Sequence, residues 1–337
     1  MSKQAQIDIQ QAGSAVRAEN LSKTFIQSTR ENEPGKVLKS LFKSHKRVIT
    51  ALDNVSFTVE KGEFVAYAGP NGAGKSTTMK ILCGMLMPTE GSARVLGMSP
   101  EKMRIELMKK VGVLFGNRTE LWWDHPVSQS FEWKKVVWDI DEKVYNENVE
   151  MVKALFGLED IMNTFARELS LGQRMRADIA LMLLHSPEII FLDEPTLGLD
   201  VVAKRQLIDA LKILNKEKGV TIMVTSHDMD DLEEMARRIF MISKGKLAFD
   251  GSFDELRNVA GSVSKVSIAT FGKAEPVIDG GKLLSATGGV YDFEVDLSKI
   301  SVKNLLHQIS KFDDVKNVEI KKVPIEQVIT RLYEKWA

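Results

Sequence analysis

The sequence predicts an α/β fold with a largely parallel central sheet, followed by a small α+β domain. Strand and helix patterns alternate from about residue 55 to about residue 256, which is typical of βα units. Within that region an apolar, β-prone segment runs into the turn G-P-N-G-A-G-K-S at Gly69–Ser76, and helix-forming residues follow. A second apolar segment, Ile189–Leu192, ends in two carboxylates. These two strand ends are where the chemistry of the fold is expected.

The first part of the chain is predicted to be a loose tail, a strand and a basic insertion. Residues 1–15 are polar and Gln-rich, and a strand is predicted over Val16–Leu21. A Lys-, Ser- and Glu-rich insertion occupies residues 26–50, and its apolar residues at helical spacing are Leu38, Leu41 and Phe42.

The later elements follow from apolar patterning. Strands at 55–59 and 63–68 lead into the turn, and Thr77–Gly84 has helical character. After residue 261 the character changes, and a separate α+β domain is predicted over 261–337. Its expected strands are 263–269, 290–295 and 315–321, and its expected helices are 302–311 and 325–336.

Composition indicates a globular protein without a membrane span. The 337 residues are 44% hydrophobic, and 46 basic residues balance 46 acidic ones, so no overall field favours nucleic acid. The single cysteine, Cys83, lies among apolar residues and suits a reducing compartment. The N-terminus has no apolar signal region, and the longest apolar stretch, residues 179–192, is interrupted by polar residues. We expect a cytosolic chain.

The turn at Gly69–Ser76 has the spacing G-x-x-x-x-G-K-[ST] of a phosphate-binding loop. Its glycines let backbone N–H groups curl around a polyphosphate, and the helix that follows adds its positive end. Lys75 is predicted to reach the β and γ phosphates, and Ser76 to place its hydroxyl on Mg²⁺.

The carboxylates after Ile189–Leu192 have the arrangement of a Walker B element. Asp193 is predicted to hold Mg²⁺, and Glu194 to act as the general base on the attacking water. An acidic pair that caps a buried strand is the plainer interpretation, which the phosphate loop disfavours. In L-S-L-G-Q-R, residues 169–174, Ser170 has the position of a helix N-cap, which aims backbone N–H groups at an anion.

These segments, in this order and followed by G-L-D at 198–200 and T-S-H-D at 225–228, resemble the ATP-binding subunits of ABC transporters. The resemblance covers residues 16–256 and implies an ABC-type P-loop ATPase domain with a helical subdomain at about 117–185. It further implies that L-S-L-G-Q completes the ATP site of a second copy, so that a homodimer or a related heterodimer forms. Asp200 would communicate across that dimer, and His227 would contact the γ-phosphate.

The resemblance assigns the binding residues one by one. Phe25 corresponds to the aromatic residue that stacks on adenine, with core packing as the alternative. The implied catalytic residues are Lys75, Glu194, His227 and Asn117, and the implied metal ligands are Ser76, Asp193 and Asn117. The implied ATP contacts are Phe25, Gly69, Pro70, Asn71, Gly72, Ala73, Gly74, Lys75, Ser76, Thr77, Ser170, Leu171, Gly172, Gln173 and Asp200.

Two positions depart from the family pattern. Leu171 stands where the family usually has the first signature glycine, and its bulk bears on how closely the backbone approaches a phosphate. Asn117 is the best match for the family's Q-loop glutamine and is one methylene shorter. Its amide oxygen is expected to reach Mg²⁺ or the attacking water.

The resemblance also implies partners. Trp122, Trp123 and Trp138 fall in or after the region that receives a permease coupling helix, with burial as the alternative. The basic stretch 36–47 is either a contact for the permease or for headgroups, or a solvated loop. Integral-membrane permease subunits would hold the chain at the cytoplasmic face of the membrane, and no nucleic acid is expected.

Three interpretations of function remain. The first is the ATPase subunit of an ABC transporter, an exporter by the resemblance of its accessory C-terminal domain. The second is a soluble ABC-type ATPase in translation, repair or cofactor assembly, which usually carries two ATPase domains or a long coiled coil. The third is a module that has lost hydrolysis, which the presence of Lys75, Ser76, Asp193, Glu194 and His227 disfavours.

Overall fold

The computed structural model describes residues 13–29, 45–116, 119–260, 263–272, 275–297, 299–312, 314–322 and 325–336. The chain divides into two compact units between Asp250 and Gly251. This division precedes the predicted end of the first domain at residue 256, because the segment from Gly251 onward makes its contacts with the C-terminal unit.

A three-stranded antiparallel sheet of order β2-β1-β4 opens the first unit. Its strands are β1 (Ser14–Thr29), β2 (His45–Glu60) and β4 (Glu90–Val95). Both ends of the predicted insertion 26–50 are strand, because the β1–β2 ladder continues to the pair Thr29 and His45. Backbone pairing outweighs the polar composition there. The apolar group Leu38, Leu41 and Phe42 and most of the basic stretch lie outside the described residues.

A six-stranded sheet of order β5-β6-β7-β3-β8-β9 forms the centre of the unit. The pairs among β5, β6, β7, β3 and β8 are all parallel, as the alternation predicted. Near-continuous apolar runs such as I-I-F-L in β6 suit strands that are covered on both faces. The strands are β3 (Phe64–Ala68), β5 (Val111–Phe115), β6 (Ile189–Asp193), β7 (Thr221–Thr225), β8 (Arg238–Ser243) and β9 (Lys246–Ser252).

Seven helices accompany these sheets within the described part of the first unit. They are α1 (Lys75–Leu82), α2 (Arg104–Met108), α3 (Val127–Val137), α4 (Glu142–Phe156), α5 (Leu171–Leu183), α6 (Val201–Lys218) and α7 (Met229–Met235). Helices α3 to α5 fall in the region expected to be a helical subdomain. Helix α1 begins at Lys75, two residues earlier than its predicted start.

The main core joins the two sheets. Phe57 of β2 packs on Tyr67 of β3 and Phe240 of β8, with ring centroids 5.7 and 5.0 Å away. Apolar side chains of β1 and α1 complete the cluster, including the buried Cys83. Burial raises the pKa of that thiol, which keeps it protonated and unreactive.

The second unit is an α+β arrangement with an antiparallel sheet of order β11-β12-β10-β13. Strand β11 was not predicted, since its adjacent leucines, Leu283 and Leu284, do not alternate with polar residues and both are exposed. The elements are α8 (Phe253–Ala260), β10 (Val263–Thr270), β11 (Gly281–Thr287), β12 (Val290–Asp296), α9 (Val302–Ile309), β13 (Val315–Lys322) and α10 (Ile325–Trp336).

Among the described residues, every helix is too short or too polar to cross a bilayer.

Candidate nucleotide-binding site

The candidate site lies at the carboxyl ends of three adjacent strands, β6, β7 and β3. Strand β3 ends in the glycine-rich loop, β6 ends at Asp193, and β7 ends at Thr225, two residues before His227. Because parallel strands point the same way, these three strand ends meet at one edge of the sheet. The sequence-predicted loop, carboxylates and histidine are therefore brought together.

The loop glycines are required by two different constraints. Gly74 has φ +113°, and a Cβ there would lie 2.5 Å from the carbonyl oxygen of Ala51. Gly69 needs no unusual φ, but a Cβ would lie 2.4 Å from the carbonyl oxygen of Ile242. The loop is thus pressed against its neighbouring strands while its backbone turns into α1, which leaves N–H groups at the helix start for an anion.

Lys75 is folded back onto the loop. Its Nζ donates to the carbonyl oxygens of Gly69 at 2.6 Å and of Pro70 at 3.3 Å, and only 7% of the residue is exposed. Burial lowers the pKa of the ammonium group, while the charges of Glu194 and Asp193 oppose that change. The cation therefore sits beside the loop atoms that would surround a polyphosphate.

Asp193 is held at both oxygens by hydroxyl groups. Ser76 Oγ donates to Oδ2 at 2.7 Å, and Thr225 Oγ1 donates to Oδ1 at 2.6 Å. A hydroxyl and a carboxylate in contact are the hard oxygen donors that Mg²⁺ takes alongside phosphate oxygens. The residues present thus fit the Mg²⁺ that the sequence implied at Ser76 and Asp193.

Glu194 adopts a strained backbone next to the predicted switch histidine. Its φ is +57°, a left-handed conformation that non-glycine residues seldom adopt. One carboxylate oxygen, Oε2, lies 3.4 Å from His227 Nδ1, and the histidine side chain is largely exposed. The predicted base and the predicted γ-phosphate contact are therefore neighbours at the open side of the site.

The signature segment begins α5 as predicted. Ser170 Oγ accepts from the Gln173 N–H at 3.2 Å, and Gln173 Oε1 accepts from the Ser170 N–H at 2.9 Å, which together form a capping box. A Cβ on Gly172 would lie 2.8 Å from Ala203 Cβ, so the start of α5 packs closely on α6. Gln173 therefore satisfies the cap, a role that the sequence analysis did not give it.

Three further predicted site residues are Phe25, Asp200 and Asn117. The Phe25 ring is 38% exposed on β1 beside Lys23, whose Nζ is 5.3 Å from the ring centroid, so the ring is not a core residue. Asp200 caps α6 by accepting from the Ala203 N–H at 2.8 Å. Asn117 lies outside the described residues.

A cavity of about 620 Å³ opens beside Ser76 and Asp193, the predicted metal ligands. Its far wall comes from the helical region and contains Lys134, Trp138 and His185. Trp138 stacks on His185 with centroids 4.4 Å apart, and burial lowers the pKa of that histidine to about 4. Trp138 is half-buried, so the alternative of burial fits it better than an exposed anchor.

A buried carboxylate near this cavity was missed by the sequence analysis. Asp178 lies on α5, only 6% exposed, and its Oδ1 accepts from Thr119 Oγ1 at 2.8 Å and from the Glu120 N–H at 2.9 Å. Burial raises its pKa from 3.8 to about 6, although these hydrogen bonds oppose the change. An acidic residue within the otherwise apolar run A-D-I-A-L-M-L-L was the available signal.

An exposed apolar surface, here called the tryptophan patch, lies on α3 and the loop before it. It comprises Trp122, Trp123, Trp133, Val136 and Val137, which are 39%, 50%, 48%, 70% and 58% exposed. Trp122 and Trp133 are in contact, with centroids 4.8 Å apart. Large, neighbouring exposed aromatic residues are typical of a protein interface.

The loop geometry and the parallel sheet place the chain among the P-loop nucleotide-binding proteins. Residues 52–197 match the family described as ABC transporter. Of the relatives, the ABC transporter ATP-binding protein NatA of Bacillus subtilis strain 168 is 32% identical over 215 residues, which are 64% of this chain and 87% of NatA. The chain belongs to the family of ABC transporter ATP-binding proteins.

A second relative and a solved structure are also ATP-binding proteins of this kind. The probable multidrug ABC transporter ATP-binding protein YbhF of Escherichia coli strain K12 is 36% identical over 234 residues, which are 69% of this chain. The match spans only 40% of YbhF. The ATP-binding cassette MJ0796, in a dimeric post-hydrolysis state with ADP and Pi, superposes with a TM-score of 0.58 at 27% identity, covering 70% of this chain and 98% of that one.

Proposed function

We propose that this chain hydrolyses MgATP as the ATPase subunit of an ABC transporter and drives export through separate membrane permease subunits. The observation that carries the proposal is the cluster of Ser76, Asp193, Glu194 and His227 at the end of the parallel sheet, beside the glycine-rich loop. Family membership supports the same activity, and the names of YbhF and NatA describe transporter subunits.

Each residue has a role in that reaction. The loop amides and Lys75 bind the phosphates, and their positive charge stabilises the charge that spreads over the transferred group. Ser76 and Asp193 would hold Mg²⁺, which neutralises phosphate charge. The Glu194 carboxylate accepts a proton from the attacking water. His227, whose Nδ1 lies 3.4 Å from Glu194 Oε2, contacts the γ-phosphate.

The proposed active form is a dimer in which each copy completes the other's site. The capping box of α5 leaves Ser170 at an exposed helix start, where amide groups can meet an anion from outside the chain. The relative MJ0796 has a dimeric structure, which supports the same arrangement. The proposed pair consists of two identical chains or of two related ones.

The tryptophan patch supports the proposal of a membrane partner. Its aromatic and aliphatic side chains are exposed on the helical region, and the same helix, α3, contributes Lys134 to the lining of the cavity that reaches Ser76 and Asp193. A permease segment bound there would contact the helix that forms part of this cavity's wall. Such a partner would hold the chain at the cytoplasmic face of the membrane.

Replacement of the proposed base tests the reaction. Glu194→Gln keeps the size of the side chain but cannot accept the proton, so we expect the rate of phosphate release to fall by about 10²–10⁴-fold while ATP still binds. The matched control is Glu147→Gln, at an exposed position on α4, which should leave the rate unchanged. A Glu194→Gln enzyme with normal turnover would remove Glu194 from the mechanism.

Partner recovery tests the transport role. The chain is purified from detergent-solubilised membranes of its own source, and co-purifying proteins are identified by mass spectrometry. We expect a multi-span permease in a stable ratio, and we expect Trp133→Gln to weaken its recovery more than Ile213→Gln, a similarly exposed apolar residue on α6. Recovery of ribosomes or soluble partners alone would favour a soluble ABC-type ATPase instead.

A further inference from the structure

Thr225, at the end of β7, makes hydrogen bonds to both residues of the acidic pair. Its hydroxyl donates to Asp193 Oδ1 at 2.6 Å and accepts from the Glu194 N–H at 3.0 Å. Its carbonyl oxygen accepts from the same N–H at 3.1 Å. The residue is fully buried, so no water competes for these bonds.

The direction of these bonds is fixed by chemistry. A threonine hydroxyl has one proton, and the Asp193 carboxylate can only accept while it is ionised, so the proton points to Asp193. The hydroxyl lone pairs are then left for the Glu194 N–H. With Ser76 on the other oxygen at 2.7 Å, the Asp193 carboxylate is held from both sides.

The same hydroxyl also stabilises the strained backbone conformation of Glu194. A left-handed φ of +57° at a glutamate persists only where surrounding contacts determine it. The Glu194 N–H has two acceptors, and both belong to Thr225. His227, two residues after Thr225, lies beside the Glu194 carboxylate. The short segment 225–227 therefore contacts both the backbone and the side chain of Glu194.

We propose that Thr225 is a positioning residue that aligns Asp193 for the divalent cation and holds Glu194 in its left-handed conformation. The inference rests on the proposed ATPase function and adds a residue that acts through two others. Removal of its hydroxyl frees one oxygen of Asp193 to rotate and leaves the Glu194 N–H with a single acceptor. Cation binding and turnover should therefore weaken together.

The test compares two threonines on the same strand. Thr225→Val removes the hydroxyl at nearly constant side-chain volume, whereas Thr225→Ser keeps the hydroxyl and removes only the methyl group. Thr221→Val is the matched control, because the Thr221 hydroxyl is also buried on β7 and also accepts a backbone N–H, that of Gly62 at 2.9 Å, but it lies at the opposite end of the strand.

Two quantities are measured, one of which needs no turnover. The first is the Mg²⁺ concentration that half-saturates binding of a fluorescent ATP analogue, and the second is kcat for ATP hydrolysis. For Thr225→Val we expect the Mg²⁺ requirement to rise and kcat to fall, each by about 10–100-fold, as is usual when the partner of a metal ligand is lost. Thr225→Ser should lie near the wild type, and Thr221→Val should change neither quantity even if it lowers the melting temperature.

The outcomes separate the possible explanations. If Thr225→Val behaves like Thr221→Val, or if Thr225→Ser fails to restore both quantities, Thr225 only satisfies buried polar groups and the inference is overturned. If Thr225→Val does not fold, Thr225→Cys replaces it, because cysteine keeps a similar volume and a weak donor. We expect its Mg²⁺ requirement and kcat to lie between those of the wild type and the loss expected for valine. Wild-type values of both quantities would again refute the role. A wild type without Mg²⁺-dependent analogue binding would overturn the proposed function itself.

Discussion

Asp178→Asn should make the protein more stable at neutral pH, although it removes a buried, hydrogen-bonded side chain. The Asp178 carboxylate is 6% exposed, and burial raises its pKa from 3.8 to about 6. Asparagine has nearly the same shape and keeps an oxygen that can accept from Thr119 Oγ1 and from the Glu120 N–H. It has no charge to desolvate.

The sign and size follow from proton linkage. Because the folded state binds the Asp178 proton more tightly than the unfolded state, this group lowers the free energy of unfolding as the pH rises from about 4 to about 6. At about 1.4 kcal/mol for each pH unit, the difference between 3.8 and about 6 corresponds to about 3 kcal/mol at pH 8. Asparagine avoids this cost but forms weaker hydrogen bonds, so a net gain of about 1–3 kcal/mol is expected.

The assay is denaturant unfolding at pH 8 and at pH 5, followed by tryptophan fluorescence. Four of the five tryptophans lie between residues 122 and 138, so the signal reports mainly on the first unit. The advantage of Asp178→Asn should shrink by about 1.4 kcal/mol at pH 5, where the native carboxyl group is mostly protonated. Asp178→Ala, which removes the acceptor as well, should be destabilised at both values. A loss of stability in Asp178→Asn that is equal at both pH values would refute the reasoning.

Two further predictions concern the loop and the helix that follows Asp200. Gly74→Ala should lower the melting temperature and abolish binding of a fluorescent ATP analogue, because its Cβ would lie 2.5 Å from a carbonyl oxygen. A Cβ on Gly72 meets no atom within 4 Å, so Gly72→Ala should have a smaller effect on both measurements. Lys204 Nζ lies 3.0 Å from Asp231 Oδ1, so Lys204→Met should cost about 1–3 kcal/mol in denaturant unfolding by leaving a buried carboxylate without its cation. Lys212→Met, which breaks an exposed pair at 3.9 Å, should cost far less, and equal losses would contradict the argument.

The parts of the site that the sequence predicts are those that local chemistry determines. The loop glycines, the strand that ends at Asp193 and the Ser170 cap each depend on residues within a few positions of one another. Their geometry could therefore be expected before any fold was known. Some roles come only from the resemblance, such as that of His227. The structure shows that His227 lies beside Glu194, and its role is a proposal.

The parts that the sequence does not predict depend on which elements become neighbours. Thr225 reaches Asp193 only because β7 pairs with β6, and Asp178 reaches Thr119 only because α5 packs beside the segment that follows β5. The long β1–β2 ladder is a similar case, since the polar composition of residues 26–50 gave no sign of pairing. Tertiary contact, rather than local propensity, decides each of these features.

The structure gives a physical account of Leu171 at the usual place of a signature glycine. A Cβ on Gly198, whose φ is +75°, would lie 3.0 Å from Leu171 Cδ2, so the leucine side chain occupies space that a side chain at 198 would need. The bulk at Leu171 is thereby directed onto the segment before α6, and the capping box of Ser170 and Gln173 is retained.

This packing joins the starts of two helices, α5 and α6. Leu171 Cδ2 would lie 3.0 Å from a Cβ on Gly198, and Ala203 Cβ would lie 2.8 Å from a Cβ on Gly172, so the start of α5 packs closely on the start of α6 and the segment before it. Asp200 caps α6 within that contact. Close-packed elements transmit displacements instead of absorbing them. Lys204 of α6 in turn bonds Asp228 Oδ2 at 2.7 Å, so direct contacts join the starts of α5 and α6 to the segment that carries His227.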